Sequence, residues 1–132
     1  PFYREIKEAD TFEFNGIMYN SSEFLSEDKP EKEISIIPDT RYFDGLGEFV
    51  KNSNIIISEC TYLLKEDAHH ARKNYHLSIL DIEKIIAQSK VESLFLTHIS
   101  ARYDRNIEKE AIESLHDKCN VKIAHDLEEY SL

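Results

Sequence analysis

Four polar residues stand where a buried strand would hand its chain over to a loop, and their types suit acid–base or metal chemistry. Asp39 follows the apolar run Ile34-Ser35-Ile36-Ile37, and His98 follows Leu94-Phe95-Leu96. Between them, Glu59 ends Asn54-Ile55-Ile56-Ile57-Ser58, and His76 stands in Tyr75-His76-Leu77-Ser78. Ligands at several strand ends of an α/β sheet converge on one edge, where such sheets hold their sites. Carboxylate oxygen and imidazole nitrogen together suit zinc, manganese or iron. A carboxylate that accepts from one imidazole nitrogen fixes the tautomer and raises the basicity of the other, so Glu59 with His76 is a candidate proton-transfer pair. Each residue taken singly also has a plain reading: an aspartate closing a turn, a glutamate capping the next segment, a hydrogen-bonded or solvated histidine. It is the set that points to a site, and Asp39 with His98 alone leaves a zinc site short of ligands.

The elements that must position these residues follow from the hydrophobic pattern. Strands are predicted at Glu33–Pro38, Asn54–Glu59, Ser93–Thr97 and Val121–Ala124, and helices at Gly45–Lys51, Glu66–Asn74, Ser78–Ser89 and Ile107–Lys118. Ile79, Ile82, Ile85 and Ile86 recur at helical spacing, as do Ile107, Ala111, Ile112 and Leu115. Ser78 is placed to cap the third helix. This alternation argues for an α/β fold with mainly parallel pairing. Upstream, Asn15-Gly16 between Thr11-Phe12-Glu13-Phe14 and Ile17-Met18-Tyr19 signals a hairpin. The polar stretch 26–33 reads as a surface loop, and the tail 126–132 as a short edge strand or a frayed end.

At 132 residues the chain has room for one domain with a real core, taken as residues 1–132. Hydrophobic content of 41% and charged content of 32% are those of a soluble globular protein. No apolar run approaches the ~20 residues that span a bilayer. Cys60 and Cys119 lack metal-type spacing and read as reduced thiols, which with no visible leader makes the cytoplasm the expected compartment. The net charge of −10 opposes general nucleic-acid binding by this chain alone, because that affinity comes from neutralising phosphates. His69 and His70 read as a solvated helix face, and His116 and His125 as structural or exposed. The seven Tyr and seven Phe are scattered as core residues rather than spaced as a stacking platform, apart from Tyr103 beside Arg102.

In order, Pro38-Asp39-Thr40-Arg41, Ser58-Glu59-Cys60-Thr61-Tyr62, Tyr75-His76-Leu77-Ser78 and Leu96-Thr97-His98-Ile99-Ser100-Ala101-Arg102-Tyr103 resemble the strings of the tRNA 3′-processing endoribonucleases, the ribonuclease Z family of the metallo-β-lactamase fold superfamily. The family strings run Gly-Asp-Thr-Arg, His-Glu-Ala-Thr-Phe, His-Ser-Thr and Thr-His-Phe-Ser-x-Arg-Tyr. Pro1-Phe2-Tyr3, Ile6-Lys7 and Asn15-Gly16 resemble the segment that leads to the aspartate. The resemblance implies the C-terminal half of an αββα sandwich, a mixed sheet with covering helices. It implies two zinc ions in a complete site, with Asp39 bridging them and His98 ligating one. Glu59 and His76 would be the proton relay, and Ser100, Arg102 and Tyr103 would contact phosphate or RNA. A dinuclear site would activate water and stabilise the oxygens of an in-line displacement at phosphorus, removing 3′ trailers from pre-tRNA.

The sequence departs from the family in ways that matter. The His-x-His-x-Asp-His string that supplies most zinc ligands is absent from these 132 residues. Ser58 and Cys60 stand where the family has His and Ala, and Leu77 where it has a hydroxyl residue. The expectation is therefore a chain inactive without a missing N-terminal half, associated with that half, with a second chain or as a homodimer. The alternatives are another dinuclear hydrolase acting on small phosphodiesters, or a non-catalytic interaction module.

Overall fold

The computed structural model describes residues 6–25 and 31–130. Pro1-Phe2-Tyr3 and most of the loop predicted over 26–33 lie outside them. The chain divides into two compact units, residues 1–31 and 32–132.

In the first unit, strands β1 (Thr11–Phe14) and β2 (Ile17–Asn20) pair antiparallel, with Phe12 opposite Tyr19. Asn15 and Gly16 join them, both at positive φ (52° and 78°), the conformation that Asn-Gly tolerates and a tight hairpin demands. Phe12 and Tyr19 stack at 5.6 Å, and Phe24 meets both edge-on.

The second unit alternates strand and helix: β3 (Ile34–Ile37), α1 (Gly45–Phe49), β4 (Ile55–Glu59), α2 (Ala68–Asn74), α3 (Ile79–Ile86), β5 (Ser93–Thr97), α4 (Arg105–Leu115) and β6 (Asn120–Ile123). The sheet order is β3-β4-β5-β6, every neighbouring pair parallel. The fold is thus α/β. Where a mixed sheet was expected, the described antiparallel pairing is confined to the separate hairpin.

Strands that pair in sequence order, joined by right-handed crossovers, must carry all their connections on one face. Burial agrees with that geometry. Ile37, Ile56, Leu94, Leu96, Val121 and Ile123 alternate onto one face, and all are buried with Leu46, Val50, Leu77, Ile82, Ile85, Ala111 and Leu115 from the connections. On the opposite face of β3, Ile34 and Ile36 are 47% and 62% exposed. Phe95 shares that face and is covered by Tyr130, whose ring meets it edge-on at 5.1 Å. The described part of the tail forms no strand.

Local chemistry sets the helix starts. Ser78 donates from its backbone N–H and its hydroxyl to Asp81 Oδ2 (3.1 and 2.7 Å), which fixes the first turn of α3. Asp104 accepts from the N–H groups of Asn106 and Ile107, so α4 begins two residues ahead of its first apolar position. No helix among the described residues is long and apolar enough to cross a membrane.

Candidate metal centre

The parallel sheet ends in a row of loops, and the polar residues singled out by their spacing stand on them. Asp39 lies just past β3, Glu59 closes β4, His76 lies between α2 and α3, and His98 follows β5. Left-handed backbone occurs at two points around them. Tyr75, at φ 63°, ends α2 and turns the chain into His76, and His98 itself sits at φ 54°. Non-glycine residues rarely adopt that conformation, and such strain gathers where a side chain must be aimed.

Glu59 is the centre of the arrangement. It is 1% exposed, and its carboxylate accepts five hydrogen bonds. Oε1 takes the Leu77 N–H at 2.8 Å, the Thr40 N–H at 3.1 Å and the His76 ring Nδ1 at 3.3 Å. Oε2 takes the Thr61 N–H at 3.0 Å and the Thr61 hydroxyl at 2.9 Å. A buried carboxylate is tolerated only with such donors, and these tie the ends of β3 and β4 to the His76 loop.

The same bonds fix both histidine tautomers. His76 gives its Nδ1–H to Glu59, which leaves Nε2 with the free lone pair. Thr61 has one hydroxyl proton and spends it on Glu59, so its oxygen can only accept from His98 Nδ1, 2.8 Å away. His98 Nε2 is then free as well, and it stands 3.5 Å from Asp39 Oδ2. The two imidazoles lie nearly parallel with centroids 5.0 Å apart. One ligand atom from each of Asp39, His76 and His98 lies within 4.8 Å of the other two. A carboxylate oxygen and two imidazole nitrogens, each imidazole hydrogen-bonded from behind, form a donor set that fits zinc, manganese or iron.

Arg102 stands beside this cluster with its orientation set. Its Nε donates to Ser100 Oγ at 3.2 Å, and its guanidinium lies over the Tyr62 ring at 5.2 Å. Nη1 is 3.8 Å from Asp67 Oδ1, and the other Asp67 oxygen accepts the Tyr103 hydroxyl at 2.6 Å. Tyr103 is buried, and that burial together with the bond to Asp67 pushes its phenol well above the usual tyrosine range. Its hydroxyl is therefore committed inward, while Arg102 stays exposed. A cleft of about 280 Å³ opens along His98, Ser100 and Tyr103, but Glu108 and Asp126 line it too, which makes it a poor receptor for phosphate.

The residues outside the cluster behave as their spacing suggests. His69, His116 and His125 are exposed, and His70 is half-buried against Tyr62. Cys60 and Cys119 are free thiols, and burial raises the pKa of both. Sequence reasoning gave no role to Thr61, Tyr62 or Asp67. Thr61 stands two residues after Glu59, so its reach to the same carboxylate was open to inference. The contact of Asp67 with a loop 36 positions away left no local signal.

No protein-family model matches the chain. Among curated proteins it is similar to ribonuclease Z of Staphylococcus epidermidis, 39% identical over 104 residues, 79% of this chain and 34% of that protein. It is similar over its whole length to ribonuclease Z of an Exiguobacterium strain, 33% identical and covering 44% of it. The Staphylococcus aureus protein of the same name is 29% identical, again over all of this chain and 44% of its own. The chain thus spans less than half the length of these curated relatives. The resemblance is thus to a stretch of ribonuclease Z of that length.

Proposed function

We propose that the chain supplies one side of the active site of a metal-dependent endoribonuclease that removes 3′ trailers from pre-tRNA. In this reading it is the C-terminal half of a metallo-β-lactamase-like αββα sandwich and is inactive until the other half joins it. The observation that carries the proposal is the convergence of Asp39, His76 and His98 at one sheet edge with Glu59 behind them.

Asp39 and His98 would hold the metal, with His98 aimed by Thr61. Zinc bound there supplies a Lewis acid that activates water and offsets charge on phosphorus. His76, steadied at Nδ1 by Glu59, presents Nε2 to the site and delivers a proton to the departing 3′ oxygen. Ser100 and Arg102 receive a phosphate of the RNA. Tyr103 serves them from behind through Asp67. Arg102 is suited to the task because its guanidinium is already oriented by Ser100 and Tyr62.

The test joins this chain with the portion of a ribonuclease Z relative that it does not span, and assays the zinc-loaded protein on pre-tRNA. Cleavage is expected, and His76→Ala should slow it by about 10²–10⁴-fold with zinc content unchanged. A complemented protein that folds, holds zinc and leaves pre-tRNA intact would overturn the reading. The net charge of −10 favours a second reading, a non-catalytic module, since this surface repels RNA. Complementation that restores binding between the halves but no cleavage would favour it.

A further inference from the structure

We infer that the cleft between Arg41, Arg72 and Lys84 binds a phosphate group, and that the phosphate belongs to the backbone of a single RNA strand. The choice of RNA rests on the proposed nuclease reading, whereas the phosphate rests on the cleft alone.

The cleft encloses about 400 Å³ and is lined by Arg41, Tyr42, Phe43, Arg72, Asp81 and Lys84. Three parts of the chain build it: the loop after β3 brings Arg41, the last turn of α2 brings Arg72, and α3 brings Lys84. Three positive side chains thus line it against one negative, although acidic residues outnumber basic ones 26 to 16 along the chain. In so acidic a chain an arginine readily finds a carboxylate, as Arg102 does with Asp67. Among the described residues, Arg41 and Arg72 form no ion pair. Both are exposed, and Arg41 is laid instead over the Tyr75 ring.

Asp81 would oppose an anion, but both of its oxygens are committed. Oδ2 accepts from the backbone N–H and the hydroxyl of Ser78, and Oδ1 stands 3.5 Å from Lys84 Nζ. This buried carboxylate holds Lys84 at the cleft wall, where the ammonium lies 5.0 Å from the centre of the Tyr42 ring. Two guanidiniums are left with their charge unspent, and the planar guanidinium is the group that pairs bidentately with phosphate. The cleft beside His98 has the opposite sign, since two carboxylates line it and no lysine or arginine does.

Two features favour a nucleic-acid strand over a free phosphate. Phe43 in the cleft and Tyr75 under Arg41 are 53% and 64% exposed, and aromatic faces beside a cationic groove stack bases. The cleft also adjoins the candidate metal centre along the chain: Arg41 is two residues past Asp39, and Tyr75 directly precedes His76. A strand held at that centre reaches the cleft with its neighbouring phosphates.

The test titrates the ¹⁵N-labelled chain with inorganic phosphate and, separately, with a single-stranded uridine tetranucleotide at matched ionic strength. Both should shift the Nε–H signals of Arg41 and Arg72 saturably, and the RNA should bind about tenfold more tightly because its bases stack. Arg41→Gln and Arg72→Gln should each weaken the RNA and lower the slope of log K against log salt by about 0.7, the share of one phosphate contact. Arg105→Gln removes the same charge from an exposed position on α4, outside the cleft, and should leave that slope unchanged. Circular dichroism checks the fold of each variant, and the wild-type shifts decide should one not fold. Shifts at Arg102 alone, no saturable shift with either probe, or an equal loss in Arg105→Gln would each overturn the inference. Phosphate bound without RNA would overturn the choice of RNA. The nuclease reading is judged apart from these shifts, by pre-tRNA cleavage in the complemented protein.

Discussion

Glu59 and Tyr103 are both buried polar residues, and each is kept in place by what it bonds rather than by what it fills. Removing the Tyr103 hydroxyl strands Asp67 and loosens Arg102, and a hydrogen bond to a charged partner contributes about 1.5–3 kcal/mol. Tyr103→Phe should therefore destabilise the chain by an amount of that order near neutral pH. The pH dependence carries a sign. The folded phenol is pushed above its ordinary value of 10.0, so its contribution is complete below pH 10 and is lost as pH rises beyond it, where the unfolded chain ionises first. Urea midpoints between pH 8 and pH 11 should fall for the wild type and fall less for Tyr103→Phe. Some slope should persist in the variant, because Tyr130 is raised as well through its bond to Glu128. Equal slopes would mean that Tyr103 is not the residue held in its neutral form. At this scale the sequence was informative wherever a residue directly ended an apolar run, as with Asp39, Glu59 and His98. It was silent on Asp67, whose partners arrive from elsewhere in the chain.

Among the elements, the short left-handed link at Tyr75 positions the most. It stops α2 and swings His76 toward Glu59, yet Tyr75 is itself 64% exposed and its ring touches Arg41 through a weak cation–π contact at 5.4 Å. A non-glycine residue held there costs roughly 1–2 kcal/mol. Tyr75→Gly should then raise stability by about 1 kcal/mol, and Tyr75→Val should lower it by at least as much, since a β-branched residue fits that region worst. Chemical denaturation measures both, and a Tyr75→Gly chain less stable than wild type would mean that the aromatic contact outweighs the strain. Helix existence and apolar stripe were legible for α3 and α4 because their isoleucines and leucines repeat at 3.6-residue spacing. Their ends were not. The helix predicted through Ser89 stops at Ile86, and the one predicted from Ile107 starts at Arg105, where the Asp104 cap decides. The turn at Tyr75 had no signal at all, because tyrosine is not a residue that announces positive φ.

For the molecule as a whole, the one-sided cover of the sheet sets the behaviour. Sequential parallel order places the helices on a single face, and on the other β3 exposes Ile34 and Ile36, with Phe43 and Phe49 also exposed nearby in sequence. A patch of this kind invites a partner. On the proposed αββα sandwich, this face would be covered by the portion of the relatives that the chain does not span, and without that portion a second copy is the available apolar surface. Net charge opposes that second contact: two chains of −10 repel at low ionic strength, and salt screens the repulsion over about 10 Å at 0.1 M. The isolated chain is therefore expected to dimerise more as salt rises, the opposite of an association held by ion pairs. Light scattering coupled to gel filtration, run from low to high salt, reads the mass directly. Ile36→Lys should hold the chain monomeric across that range without unfolding it, because the side chain already faces solvent. Adding the complementary portion of a relative should displace the second copy. A wild-type chain that stays monomeric at every salt concentration would show that the open face is stable in water.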